Sequence, residues 1–284
     1  MNRLLKAEKK IRNKENKQGL APYSVKTFEK ALLSSPNSSY LWVKYAAYVL
    51  EGFGADKARE IFEAAVEKVD STEEREKLNV YLAWMNFENH FGTEETFLKA
   101  TSKALNVNSI ESVLRHKALK HLQKGQMEDC EEAFKYLCKK FAKNLRNWED
   151  LLKFYLVDLK NEDKFEECLK RGLQVHRDSV ELRKKVASLY YEIGESEKGK
   201  TLFENLVSEK PKRSDLWTVY IQLEEKKAGG VEVVRDLYER VMYSKLSPKT
   251  FKTIAKKYYE FELRNNNQEK ANEIANRFNI MIDP

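Results

Sequence analysis

The chain has 284 residues, 34% of them charged, with only 10 Gly and 5 Pro and a formal net charge of +7. Its wealth of Ala, Leu, Glu and Lys points to helix throughout, and no apolar run approaches the roughly 20 residues that cross a bilayer. The opening MNRLLKAEKKIRNKENKQ has no apolar stretch to make a secretory leader, and the three cysteines, Cys130, Cys138 and Cys168, are odd in number and lack CxxC spacing, so the expected compartment is the cytosol or nucleus.

Residues 1–20 read as a basic arm. The first eighteen positions hold seven Lys or Arg against two Glu, which leaves only +2 for the rest of the chain. Lys6, Lys9, Lys10 and Arg12 are candidate contacts to nucleic-acid phosphates, weighed against plain solubility.

From residue 21 onward the chain is periodic. A first amphipathic helix is expected over 22–34, with FEKAL at Phe28. A second type of stretch follows, SYLWVKYAAYVLEG, giving a helix over 39–51, and then a helix over 55–69 that carries FEAAV at Phe62. Blocks like FEKAL return at Thr101, Phe134, Leu169, Phe203, Tyr238 and Ile274, at successive spacings of 34, 39, 33, 35, 34, 35 and 36. Two helices per period of about 35 residues define a helical-hairpin repeat. Call the aromatic-rich helix of each pair A and the FEAAV-type helix B; the last pair is expected at 247–265 and 267–279.

The joints are marked. SPNSSYLW at 35–42 returns as KPKRSDLW at 210–217, an interval of 175 residues or five periods, with Pro36 and Pro211 each six residues before a Trp. Ser39 and Ser214 are expected to cap A helices, and Gly52, Gly92, Gly194 and Gly229 to end them. The expectation is one all-α solenoid over 21–284, an N-terminal half repeat followed by about seven helix pairs.

Trp42, Tyr45, Phe62, Trp84, Phe87, Phe134, Trp148, Phe203, Trp217, Tyr220 and Tyr238 recur with the repeat. Exposed rings stack on single-stranded RNA, but a stripe at helical spacing reads first as the seam between A and B helices. Glu88, Glu224 and Glu262 in A helices, with Arg59, Lys200 and Arg235 in B helices, are expected to pair and tie helices together, since a partly buried charge needs a partner. His90, His116, His121 and His176 are scattered, with no metal-ligand spacing. Nor is there a phosphate-binding GxxxxGK[ST], an HExxH or a GxSxG turn. No catalytic residue, metal, cofactor, membrane or small-molecule substrate is expected.

LWVKYAAY, LWTVYIQLE, AWMNFEN and YYEFE, paired with KAREIFEAAV, GKTLFENLV and VRDLYERVM, resemble the half-a-tetratricopeptide (HAT) repeat of RNA-processing proteins. In their order and spacing these segments resemble the C-terminal HAT region of the eukaryotic ribosomal RNA-processing protein five family, from about residue 22 to the end. The resemblance implies a right-handed superhelical solenoid of HAT/tetratricopeptide-like hairpins. It further implies a nucleolar scaffold for early cleavage of the ribosomal RNA precursor, with small-subunit processome proteins, precursor RNA and small nucleolar RNA as partners. Members of that family carry a long upstream array of OB-fold RNA-binding domains, whereas only the basic arm precedes the repeats in this sequence. HAT scaffolds of splicing or messenger 3′-end cleavage, and tetratricopeptide-type peptide adaptors, are the alternatives.

Two further basic segments stand out. In KLSPKTFKTIAKKYY no acid interrupts Lys245, Lys249, Lys252, Lys256 and Lys257, and Lys249, Lys252 and Lys256 share a helical face on which a phosphate backbone could lie. The second is KKFAKNLR, with Lys139, Lys140, Lys143 and Arg146. There, attraction of cations to a helix C-terminus is a sufficient explanation, and the segment is the weaker candidate for RNA contact.

Overall fold

The computed structural model describes residues 24–278 apart from positions 178, 228, 229 and 245. The basic arm with Lys6, Lys9, Lys10 and Arg12, the helix stop expected at Gly229, and Lys245 lie outside the described residues.

The described residues form fifteen α-helices in the anticipated order. A single helix, α1 (Val25–Ser34), precedes seven pairs: α2 (Ser39–Phe53) and α3 (Ala55–Lys68), α4 (Glu74–Phe91) and α5 (Glu94–Val107), α6 (Ile110–Lys124) and α7 (Met127–Lys140), α8 (Leu145–Lys153) and α9 (Glu162–Val175), α10 (Val180–Glu192) and α11 (Ser196–Glu209), α12 (Ser214–Lys226) and α13 (Val231–Met242), α14 (Pro248–Arg264) and α15 (Gln268–Phe278). Helix α8 runs directly into a π-helical turn at Phe154–Asp158, which lets three consecutive side chains, Phe154, Tyr155 and Leu156, all be buried. The described residues fall into two compact units that part between Ala133 and Phe134.

In the first unit α2 packs on α3 and α4 on α5, and the A helices α2 and α4 also touch each other. The core runs through Phe28, Trp42, Phe62, Trp84 and Phe97, and Phe28 stacks on Tyr45 with centroids 5.2 Å apart. In the second unit α10 pairs with α11 and α14 with α15. Phe203 stacks on Tyr220 at 5.1 Å and Tyr238 on Tyr258 at 4.9 Å, each pair within 6° of parallel. These stacks join a B helix to the A helix that follows it.

The repeated Pro-x5-Trp phrase has a physical role. The Trp42 indole N–H donates to the Pro36 carbonyl at 2.7 Å and that of Trp217 to the Pro211 carbonyl at 2.9 Å. Trp148 makes the same bond, 2.8 Å, to Ala142, also six residues back but without a proline. Each buried ring thus fixes the loop that enters its own helix and satisfies its one donor.

Capping departs from expectation by one residue. Ser38, not Ser39, caps α2 by accepting from the Leu41 amide; Ser39 instead donates both its amide (2.8 Å) and its hydroxyl (2.5 Å) to Glu76 of α4. Arg213 occupies the cap position of α12 without a side-chain cap bond, since a guanidinium has no acceptor to offer the first-turn amides, and it pairs instead with Glu181 and Asp215. Helix α2 continues past Gly52 and ends at Gly54, whose φ of 88° and ψ of 178° suit glycine alone.

Two buried carboxylates each tie an A helix to the B helix before it. Glu88, 1% exposed, receives Arg59 Nε at 2.7 Å and Nη2 at 3.1 Å, and the Trp84 indole at 3.0 Å. Burial pushes this carboxyl up, but the hydrogen bonds from Arg59, Thr96 and Trp84 outweigh it and hold it below the ordinary range. Gly92 is small for the same reason: a Cβ there would lie 2.1 Å from the Glu88 carboxylate. Glu262, fully buried, is gripped the same way by Arg235 at 2.7 and 2.8 Å.

The third expected pair fails. Lys200 does not reach Glu224; the Tyr191 hydroxyl of α10 donates to that carboxylate instead. The cause is Gly199, over which the Tyr191 ring lies so closely that a Cβ would meet it at 2.6 Å. Burial, then the hydrogen bond to Glu224 and its charge, push the Tyr191 phenol well above its usual pKa.

Replacing Arg235 with Met should cost about 3–5 kcal/mol in urea unfolding, because Glu262 is left buried and unpaired, whereas Arg235→Met combined with Glu262→Gln should recover most of it. His116 gives a pH signature. Its Nε2 lies 3.0 Å from Asn86 Oδ1, and burial, then the Lys120 charge, pushes its pKa down to about 4 from the usual value of about 6.5. Stability from neutral His116 is therefore present above about pH 6.5 and lost as the pH falls toward 4; His116→Gln should flatten that decline in the urea midpoint.

Candidate nucleic-acid interface

Helix α14 starts at a Ser247 cap, whose oxygen accepts from the Thr250 amide, with Pro248 at its first position. Its buried stripe is Ile254, Ala255, Tyr258, Phe261 and Glu262. Lys249, Lys252 and Lys256 fall on the opposite side and are exposed. None of the three forms an ion pair with a described residue, although most charged residues nearby do. No acid lies in the first turn of α14, so the positive end of its dipole and the lysines add. The next position on the stripe, Glu260, is acidic, and the basic face therefore runs from Lys249 to Lys256, about 10 Å along the axis.

Lys257 separates from this set. It is half-buried and lines a cleft of about 590 Å³ together with Ile221 of α12, Tyr238 of α13, and Ile254, Leu263 and Arg264 of α14. Glu225, on the same cleft, accepts from the Tyr238 hydroxyl at 3.1 Å and faces Arg264 at 3.5 Å. This mixed apolar and charged surface suits a peptide segment rather than a phosphate chain.

The second segment is exposed at Lys139, Lys140, Lys143 and Arg146. Lys139 and Lys140 lie in the last turn of α7, where the helix dipole favours cations. Lys140 also donates to the Tyr136 hydroxyl at 3.0 Å. The dipole does not account for the other two: Lys143 is in the connecting loop and Arg146 is in the first turn of α8, where a cation is disfavoured.

Trp42, Tyr45, Phe62, Trp84, Phe134, Trp148, Phe203, Trp217, Tyr220 and Tyr238 are all buried and present no free ring face for a base. Among the described residues no group of three or more His, Cys, Asp or Glu is arranged to hold a metal ion.

The chain aligns along nearly its whole length with curated proteins. It is 33% identical to the human "Protein RRP5 homolog" over 264 residues, 90% of this chain and 14% of that protein. Identity is 35% over 261 residues with the rRNA biogenesis protein rrp5 of Schizosaccharomyces pombe, covering 90% and 15%, and 32% over 276 residues with RRP5 of Arabidopsis thaliana, covering 95% and 14%. The chain is RRP5-like over at least 90% of its length. It spans about one seventh of the length of these relatives. No family model matches it. In structure the RRP5-like chain resembles yeast Tom70, with a TM-score of 0.50 and 14% identity over 89% of this chain and 53% of that one, a likeness of fold.

The cleft beside α14 had no signature in the sequence of this RRP5-like chain, because three helices contribute its lining. Lys257 sits next to Lys256 in sequence, and only the helical rotation divides them. Replacing Lys249, Lys252 and Lys256 with Gln should weaken binding to single-stranded RNA and reduce the slope of log Kd against log salt by about 2. Lys257→Gln should leave that slope unchanged; fluorescence anisotropy over a salt series checks both.

Proposed function

We propose that this chain is a non-catalytic scaffold in ribosome biogenesis, acting in the nucleolus during processing of the ribosomal RNA precursor. The observation that carries this reading is the 32–35% identity to two proteins named for rRNA biogenesis across at least 90% of the chain. It favours that system over splicing or messenger 3′-end cleavage. The division of labour follows from the surfaces. Small-subunit processome proteins dock by peptide segments at sites such as the cleft beside Lys257, and the Lys249, Lys252 and Lys256 face meets the phosphates of precursor or small nucleolar RNA. Contacts of this kind orient RNA without reading its sequence. The basic arm with Lys6, Lys9, Lys10 and Arg12, together with Lys245, adds phosphate contacts, and Lys139, Lys140, Lys143 and Arg146 form a secondary one.

A pull-down of the chain from nuclear extract, with and without ribonuclease, tests the reading. Small-subunit processome proteins should remain after ribonuclease, and ribosomal RNA precursor should be recovered without it. Splicing or 3′-end factors in their place would overturn the assignment.

A further inference from the structure

Tyr243, in the loop between α13 and α14, is the most exposed aromatic ring among the described residues at 75%. An exposed tyrosine is ordinarily free to rotate, but this one is held. Arg277 of α15 donates from Nη2 to the Tyr243 hydroxyl at 2.7 Å, and its guanidinium carbon lies 5.6 Å from the centroid of the Tyr243 ring. The arginine is fixed in turn: it bonds Glu239 at 3.1 Å and lies over the Phe278 ring at 4.9 Å. Phe278 packs edge-on against Phe251 of α14 at 5.4 Å. The loop is closed by backbone bonds from Ser244 to Val241 and from Leu246 to Ser244.

We propose that Tyr243 is a stacking platform for an unpaired RNA base, working with the phosphate contacts of Lys249, Lys252 and Lys256, so that the preferred ligand is single-stranded RNA. The inference rests on the RNA reading above and deepens it. Three features carry it. The ring's hydroxyl is already satisfied and its orientation fixed, so stacking costs little further ordering. One side is backed by a cation, while the ring's exposure leaves surface for a base. Tyr243 is six residues from Lys249, within about 20 Å even for a fully extended chain, so a strand crossing α14 can reach both. Duplex RNA keeps its bases stacked internally and offers the ring none.

The test uses the full chain and fluorescein-labelled 12-nucleotide RNA, single-stranded or as a duplex, with Tyr243→Leu, Tyr243→Trp and the triple Lys249, Lys252 and Lys256 to Gln variant. Tyr243→Leu should weaken single-strand binding on the order of 5-fold or more, with duplex binding, salt slope and thermal midpoint unchanged, and Tyr243→Trp should retain binding. If Tyr243→Leu binds the single strand like the parent while the lysine variant loses affinity and slope, the platform is wrong and the phosphate reading stands. If no RNA binds at low salt, both fail. Loss of a protein partner from the nuclear pull-down by Tyr243→Leu, with oligonucleotide binding unchanged, would overturn the platform and make this patch a protein contact.

Discussion

A carboxylate that enters the core of a helical repeat must find a donor there, and the rest of the packing is arranged around that requirement. Glu88, Glu224 and Glu262 occupy matching positions in three A helices, and each reaches a partner on another helix: Arg59, Tyr191 and Arg235. Buried pairs of this sort add little net stability compared with apolar packing. Their effect is on register, because sliding one helix by a turn leaves a buried charge alone. The hydrophobic stripe of a repeat protein tolerates such slips far better than a bidentate guanidinium does.

A second set of polar contacts lies along the B helices of the second unit. Glu204 receives the Tyr220 hydroxyl at 2.9 Å and Arg240 at 2.6 Å; Glu239 receives the Tyr258 hydroxyl at 3.0 Å and Arg277 at 3.1 Å. Each glutamate follows directly the ring, Phe203 or Tyr238, that stacks on the same tyrosine. Packing and charge pairing therefore repeat together. What sets the lysines of α14 apart from other unpaired lysines is that Lys249, Lys252 and Lys256 share one exposed helical face with no acid between them, and this clustering underlies the phosphate reading.

Much of this was legible in the sequence because the period is both hydrophobic and polar. The order of helices and the seams of buried rings follow from apolar spacing. The pairs of Arg59 with Glu88 and Arg235 with Glu262 follow from recurrence. What was not legible depends on side-chain volume and rotation. Lys200 occupies the repeat position of Arg59 and Arg235, yet the missing Cβ of Gly199 admits Tyr191 in its place. Ser39 reads as a cap, but its neighbour Ser38 takes that role and frees it for Glu76. Lys256 and Lys257 are adjacent in a basic run and face different surroundings. Tyr243 and Arg277 are 34 residues apart, and nothing local to either marks them as partners.

Ultraviolet crosslinking of the chain to ribosomal RNA precursor, with mass-spectrometric mapping of the modified peptides, tests the central claim most directly. The account predicts crosslinks concentrated between Tyr243 and Lys256, with none at the buried rings such as Trp217 and Tyr220. Crosslinks at those seam residues, or their absence from the Tyr243 to Lys256 segment while other surfaces are labelled, would contradict it.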